Sequence, residues 1–376
     1  MKGKLDVADY ISRLFERAWK ERASDIHLEP QAEGLRIRLR VDGFLTEADR
    51  VPSEYAAAVI SRIKVMSHLD IGERRIPQDG ALRISEGGMS LDVRVSTLPT
   101  VFGEKMVLRL LKNHFEMVSL DQLGMGEEER ERLAGLLCGT GGLLVVTGPT
   151  GAGKTTTMYA MLQYLNRTET NIVSLEDPVE LQIPGITQVQ IQPRAGLTFA
   201  QALRAVLRQD PNVIMVGEVR DRETAEIAIG AALTGHLVLT TLHTVDGATA
   251  VTRLLDMHIE PYRVAAALTG VVAQRLIRLV CKECAGSKCP DCQQTGYRGR
   301  TGAFEVIRMD EEVQRLVVQR AAPAELRRHF RERGMRSLKE VIRKKVEKGE
   351  TTFQEYVRVA DDQSEQRMDL GQTCSV

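Results

Sequence analysis

The sequence predicts an α/β protein built on a parallel sheet covered by helices, with a smaller α+β domain ahead of that sheet and a short helical, cysteine-bearing region behind it. Three observations carry the prediction. The apolar run 143–146 leads into Gly148-Pro149-Thr150-Gly151-Ala152-Gly153-Lys154-Thr155-Thr156, and Met158, Met161, Leu162 and Leu165 then repeat at helical spacing. Further apolar runs at 172–175, 213–216 and 237–241 alternate with helical stretches, the pattern of strands buried on both faces. Ahead of them, Leu35, Ile37, Leu39 and Val41 alternate with Arg36, Arg38 and Arg40, as in a sheet with one buried face.

In chain order, Ile11, Leu14, Phe15, Ala18 and Trp19 open the protein with an amphipathic helix. Strands are predicted at 25–29 and 35–41, the latter ending in the hairpin-turn pair Asp42-Gly43. A helix at 54–66 and strands at 89–98 and 104–111 complete an N-terminal α+β domain, residues 1–112. Periodicity lapses over 113–126, which reads as a linker. The parallel-sheet domain follows at 127–280, then a cysteine insertion at 281–292. A last short strand at 301–307 and helices at 311–319, 323–333 and 337–347 make a C-terminal subdomain, 293–360, before a polar tail, 361–376.

A chain of 376 residues is long enough for two or three domains with cores of their own. Lys plus Arg and Asp plus Glu number 51 each, and aromatics are 4%, so neither a phosphate-backbone footprint nor a base-stacking platform is predicted. No apolar run reaches the roughly 18 residues that span a bilayer, and residues 1–19 carry charges throughout, unlike a signal peptide. The expectation is a cytoplasmic protein that meets a membrane through partners, without direct nucleic-acid binding. Four of six cysteines, Cys281, Cys284, Cys289 and Cys292, form two C-x-x-C pairs, a spacing that suits tetrahedral Zn²⁺. Cys138 and Cys374 read as a small apolar helix residue and a tail thiol.

The glycine-rich stretch stands between a strand and a helix, where backbone N–H groups converge on phosphate oxygens. Lys154 then pairs with the β and γ phosphates of a nucleotide, and the Thr155 hydroxyl ligates Mg²⁺. In a parallel sheet the ligand lies at the carboxyl ends of the strands, so the residues just past each strand are the candidates. After 172–175 come Glu176, Asp177 and Glu180, placed to activate a water, although acids here also serve as helix caps. After 213–216 comes Glu218, a carboxylate on the metal's water shell or a structural residue. After 237–241 comes His243, a γ-phosphate sensor by position, where lone histidines are also packed or solvent-facing.

Seven segments occur in an order that resembles the secretion ATPase superfamily of type II secretion, type IV pilus assembly and DNA-uptake pseudopili. They are Ser24-Asp25-Ile26-His27, Pro77-Gln78-Asp79-Gly80, the run 92–99, the run 148–156, Glu176-Asp177-Pro178-Val179-Glu180, the run 207–221, and Thr234-Gly235-His236 continuing to Thr244. The resemblance extends over roughly residues 24–307. The resemblance implies a RecA-like ATPase domain, a PAS-like N-terminal domain, ATP with Mg²⁺, and a hexameric ring acting on an inner-membrane platform protein from the cytoplasmic face. It implies Glu176 as catalytic base, Glu218 as an atypical Walker B glutamate and His243 as a histidine-box residue. Arg94 and Arg109 match arginines that reach toward nucleotide phosphates, and Arg253 matches by spacing alone. Arg94 and Arg109 also oppose the apolar Leu91, Val93, Val95, Leu108 and Leu110 on their strands.

Two departures bear on subtype. The cysteine pairs are separated by four residues, where the family has a much longer insertion, and about twenty residues precede Ser24 where assembly ATPases commonly carry a docking domain. The short competence-pilus type is the expected subtype, and the cysteines, generally missing from retraction motors, favour assembly. The alternatives are a retraction ATPase of the same superfamily, a P-loop phosphotransferase, and a nucleotide-bound scaffold without turnover.

Overall fold

The computed structural model describes residues 5–86, 89–112 and 118–361. The chain divides into two compact units, Met1–Glu116 and Met117–Val376. In the first, α1 (Val7–Lys20) starts where Asp6 accepts hydrogen bonds from the N–H groups of Ala8 and Asp9, a cap that satisfies otherwise orphaned donors. Strands β1 (Asp25–Gln31), β2 (Gly34–Val41) and β3 (Phe44–Pro52) follow, then α2 (Ser53–Met66). Strands β4 (Gln78–Glu86), β5 (Met89–Thr100) and β6 (Gly103–Lys112) close an antiparallel sheet of order β3-β2-β1-β6-β5-β4.

Ile11, Leu14 and Phe15 of α1 and Val59, Ile60 and Ile63 of α2 bury one face of that sheet through Ile26, Leu28, Ile37, Leu39, Val93 and Leu108. The predicted alternation is what buries them. The two edge strands, β3 and β4, went unpredicted. β3 buries Val51 alone, because an edge strand with both faces largely wet carries no period-two signal. The opposite face is charged: Asp25 pairs in register with Arg40 on one side and Arg109 on the other, and Arg109 with Arg94.

In the second unit, α3 (Glu127–Leu137), β7 (Gly142–Thr147), α4 (Lys154–Leu165), β8 (Ile172–Glu176) and β9 (Thr187–Gln190) are followed by α5 (Phe199–Val206), β10 (Val213–Val216), α6 (Arg222–Leu233), β11 (Leu237–Leu242), α7 (Gly247–Asp256) and α8 (Pro261–Ala267). The hairpin β12 (Leu268–Val280) and β13 (Tyr297–Arg308) comes next, then α9 (Glu311–Val318), α10 (Pro323–Glu332), α11 (Leu338–Glu347) and α12 (Phe353–Asp361). The sheet runs β13-β12-β7-β11-β10-β8-β9, parallel throughout except for β13. Side chains of β7 alternate between two cores. Leu143 and Val145 pack with residues of α5 to α8, and Leu144 and Val146 with Met158, Met161 and Leu162 of α4. Among the described residues no helix is long and apolar enough to cross a membrane.

The second unit differs from the sequence reading in several features. β12 was not predicted, since it continues from α8 with no intervening Gly or Pro and is interrupted by Gln274, Arg275 and Arg278. Part of the segment read as a linker is packed: Leu120 and Leu123, in a short 3₁₀ turn, are buried in the second unit, while 113–117 lies outside the described residues. Cys138 is exposed at the end of α3 rather than packed as an apolar residue, because the strong periodic positions there are Leu133, Leu136 and Leu137. Cys374 lies outside the described residues.

Helix α12, also unpredicted, is fastened to β12. Arg278 donates from Nε to Glu355 Oε2 at 2.8 Å, and its backbone N–H donates to Glu355 Oε1 at 2.9 Å. The Arg278 guanidinium lies 4.5 Å from the Tyr297 ring centroid, a cation–π contact. Glu355 is fully buried, and its bonds to Arg358 and Arg278 hold its pKa below the ordinary carboxylate value against the opposing effect of burial. Glu355→Ala would remove the carboxylate that faces the buried Arg278 guanidinium. It is expected to lower stability by about 3–5 kcal/mol, measured by equilibrium urea unfolding.

Candidate nucleotide site and cysteine cluster

The loop after β7 is shaped by close approach. At Gly148 (φ +154°) an added Cβ would stand 2.6 Å from the carbonyl oxygen of Gln274, so no larger residue fits against β12. Gly153 (φ +87°) turns the chain in the left-handed region into α4, whose end has no side-chain cap. The first-turn N–H groups of Lys154, Thr155 and Thr156 in α4 are therefore available to phosphate oxygens.

Lys154 Nζ donates to the carbonyls of Gly148 (2.7 Å) and Pro149 (3.1 Å) and lies 3.3 Å from His243 Nδ1. A lysine ammonium only donates, so this contact fits the tautomer with hydrogen on Nε2. That nitrogen is 3.7 Å from Glu218 Oε2, and Glu218 is itself ion-paired with Arg220. The structure thus brings three predicted residues together, one from each of three strand ends. Burial lowers the Lys154 pKa to about 8, with the Glu218 charge opposing and Arg275 reinforcing the shift. Burial, then the Lys154 charge, also lowers the pKa of His243, so its imidazole is neutral at neutral pH.

Glu176 ends β8 and is buried. Its Oε1 accepts from Ser174 Oγ (2.5 Å) and Gln188 Nε2 (3.0 Å), and its Oε2 accepts from the Tyr159 hydroxyl. Tyr159 Oη in turn accepts from the Glu180 N–H at 3.1 Å, tying α4 to the acidic segment. Tyr159 and Gln188 were not foreseen. Tyr159 is one apolar-looking position of a helix, and Gln188 lies on β9, which alternates too weakly to be seen as a strand. The neighbouring Asp177 and Glu180 are exposed.

Arg94 and Arg109 lie side by side on β5 and β6 of the first unit, on the charged face. Arg109 Nε donates to Asp25 Oδ1 at 3.2 Å while most of its side chain stays exposed. Arg253 is exposed toward the C-terminal end of α7 and joins none of the contacts around Lys154.

The four Sγ atoms of Cys281, Cys284, Cys289 and Cys292 lie within 4.8 Å of one another. The 281–289, 284–292 and 289–292 separations are 3.9, 3.8 and 3.7 Å. A tetrahedron of thiolates about 2.3 Å from a central Zn²⁺ has edges of about 3.8 Å, so the tetrad fits that ion. Burial opposes the Cys292 thiolate, but N–H groups of Cys289 and Gly296, each 3.2 Å from its sulfur, bring its pKa down to about 6.

A strand, a glycine loop and a helix carrying Lys154, on a sheet whose next strands supply Glu176, Glu218 and His243, define a RecA-like P-loop nucleotide hydrolase. The family model described as "Type II/IV secretion system protein" matches residues 1–358, and the chain belongs to that family as one of its ATPases. The type II secretion system protein HxcR of Pseudomonas aeruginosa is 47% identical over 364 residues, covering 95% of this chain and 78% of that protein. The type II secretion system ATPase E of Vibrio cholerae is 43% identical over 381 residues, 95% of this chain and 76% of that one. The type IV pilus assembly ATPase PilB of Thermus thermophilus is 42% identical over 92% of this chain, which spans 42% of that longer protein. Among solved structures, the ATPase DotB of Legionella pneumophila shares the fold with a TM-score of 0.73 at 21% identity, covering 96% of this chain and 98% of its own. The pilus retraction motor PilT with bound ADP has a TM-score of 0.65 at 26% identity, over 95% and 98%.

The depressed Lys154 pKa gives a signed pH dependence. Phosphate favours the protonated lysine, so ATP affinity is expected to be level below about pH 8. Above that pH it should fall by up to about tenfold per unit as the free protein loses the proton. Titration of a fluorescent ATP analogue between pH 7 and 10 measures this.

Proposed function

We propose that this chain is the cytoplasmic motor that couples ATP hydrolysis to assembly of a type II secretion pseudopilus or a type IV pilus. It works as a hexameric ring on an inner-membrane platform protein. The observation that carries the reading is the Lys154–His243–Glu218 cluster, in a chain whose relatives named as secretion and pilus-assembly ATPases align over more than nine tenths of its length. The sulfur tetrad supports assembly over retraction, as the family resemblance implies.

In this reading Lys154 and the first turn of α4 bind the β and γ phosphates, and the Thr155 hydroxyl holds Mg²⁺, which offsets phosphate charge when bound. His243, neutral, presents Nε2–H as a donor toward the γ-phosphate, and Glu218 would help to hold the metal. Glu176 serves as base once one of its hydrogen bonds, from Tyr159, Ser174 or Gln188, is exchanged for the attacking water. Arg94 and Arg109, supplied from the N-terminal unit of a subunit in the ring, stabilise charge on the transferred phosphoryl group. The four thiolates would hold Zn²⁺, which would tie down the segment between β12 and β13.

Lys154→Ala is expected to abolish ATP binding. Glu176→Gln and Glu218→Gln are expected to bind ATP with parental affinity and to lose on the order of 10²-fold or more in turnover. A glutamate variant that hydrolyses at the parental rate loses its assigned role. Elemental analysis of freshly purified protein should find one zinc per chain, lost in a Cys284→Ser, Cys289→Ser variant. Zinc-free parental protein with reduced cysteines would favour a retraction motor.

A further inference from the structure

β12 outruns β7. Their register ends at Ala273 opposite Thr147, and the next residues of β12, still paired with β13 on one side, have the phosphate-binding loop on the other. Gln274 and Arg275 are consecutive, both buried, at 1% and 4% exposure, and as neighbours on a strand they send their side chains to opposite faces. Gln274 Nε2 donates to the carbonyl of Ala152 at 2.7 Å, inside the loop. Its own carbonyl backs Gly148, and its amide lies 3.3 Å from where a Cβ at Gly153 would be. Arg275 Nη2 donates to the carbonyl of Val245 at 2.8 Å, two residues after His243, and Nη1 donates to the carbonyl of Gln274 at 3.0 Å.

The segment bearing His243 is pinned on both sides of that contact. Thr244 N–H donates to Thr147 Oγ1 at 3.0 Å, and Gly247 N–H donates to the buried Glu305 at 3.1 Å. Asp246 caps α7 and is ion-paired with Arg327 of α10 at 2.6 Å. Neither Gln274 nor Arg275 touches the Lys154 ammonium through a hydrogen bond, so neither is a catalytic residue.

We propose that Gln274 and Arg275 are positioning residues for ATP turnover, one holding the phosphate-binding loop and the other the histidine segment, so that a single strand sets the spacing between Lys154 and His243. The two loops leave adjacent strand ends and are tied at their bases through Thr147 and Thr244, but beyond that tie each is free to shift against the other. A shared buried strand removes that freedom, and loss of such support misplaces a reacting group by a fraction of an ångström to an ångström, enough to cost one or two orders of magnitude in rate. The inference rests on the ATPase reading of the site and adds a division of labour to it.

The test uses the full chain, binding of a fluorescent ATP analogue, and steady-state hydrolysis. Gln274→Met is expected to weaken analogue binding about tenfold while kcat at saturation stays within about threefold. Arg275→Met is expected to do the reverse, lowering kcat about tenfold with binding within about threefold. In a His243→Ala background, Arg275→Met should add less than about twofold, because it acts through the histidine segment. A full, additive loss there, or variants that move binding and kcat alike, would overturn the proposal. If Arg275→Met melts below the assay temperature, Arg275→Lys, which keeps the charge but not the paired donors, is carried through the same cycle and decides it. Parental kcat in His243→Ala would defeat the sensor reading alone, and the split between the Gln274 and Arg275 variants would still decide the positioning inference.

Discussion

A half-buried ammonium organises this molecule. Lys154 sits where burial disfavours its charge, and two loop carbonyls, an imidazole nitrogen and the field of Glu218 offset that cost only in part. A cation so placed gains much from an incoming polyanion, because the anion restores what burial removed. The helix end beside it adds unpaired N–H groups with the same preference. Binding of a nucleotide triphosphate is thus built into the balance between burial and charge at one residue.

The sheet order delivers the other groups to that cation. β11 and β12 flank β7, and β10 and β8 follow outward, so His243, Glu218 and Glu176 leave the same edge of the sheet at increasing distance along it. Cross-strand bonds fix these ends against one another: Thr241 Oγ1 donates to the Gly217 carbonyl at 2.6 Å, and Gly217 N–H to the Leu175 carbonyl at 2.8 Å. Glu176 is held with both oxygens engaged, which protects a buried carboxylate from the cost of unmet hydrogen bonds. An acid held this way is poised by its partners, and Tyr159 places α4, the phosphate-binding helix, among them.

The first unit and the cysteine tetrad use charge and metal geometry differently. On the first unit's sheet, Arg40, Asp25, Arg109 and Arg94 form one row across four strands, in which Asp25 stands between Arg40 and Arg109 while Arg109 keeps most of its surface in solvent. The tetrad sits in a segment with few apolar residues between two long strands, where thiolate–metal bonds can replace the hydrophobic core that so short a segment lacks.

By itself the sequence determined what short-range pattern can encode. The glycine loop with Lys154, the buried parallel strands, the acids and histidine just past them, and the paired cysteines all follow from residue type at fixed local spacing. Only the tertiary structure decided which of these meet. Lys154 and His243 touch across 89 residues, and the lock on Glu176 comes from Tyr159 and Gln188, neither of which has a periodic signature. The placement of β12 beside β7, with Gln274 and Arg275 behind the loop, depends on how helices pack the crossover between parallel strands, a non-local outcome that leaves no local trace. Polar residues in a buried strand read as interruptions until their partners are known, and those partners, the Ala152 and Val245 carbonyls, are groups that every residue but its conformation leaves alike.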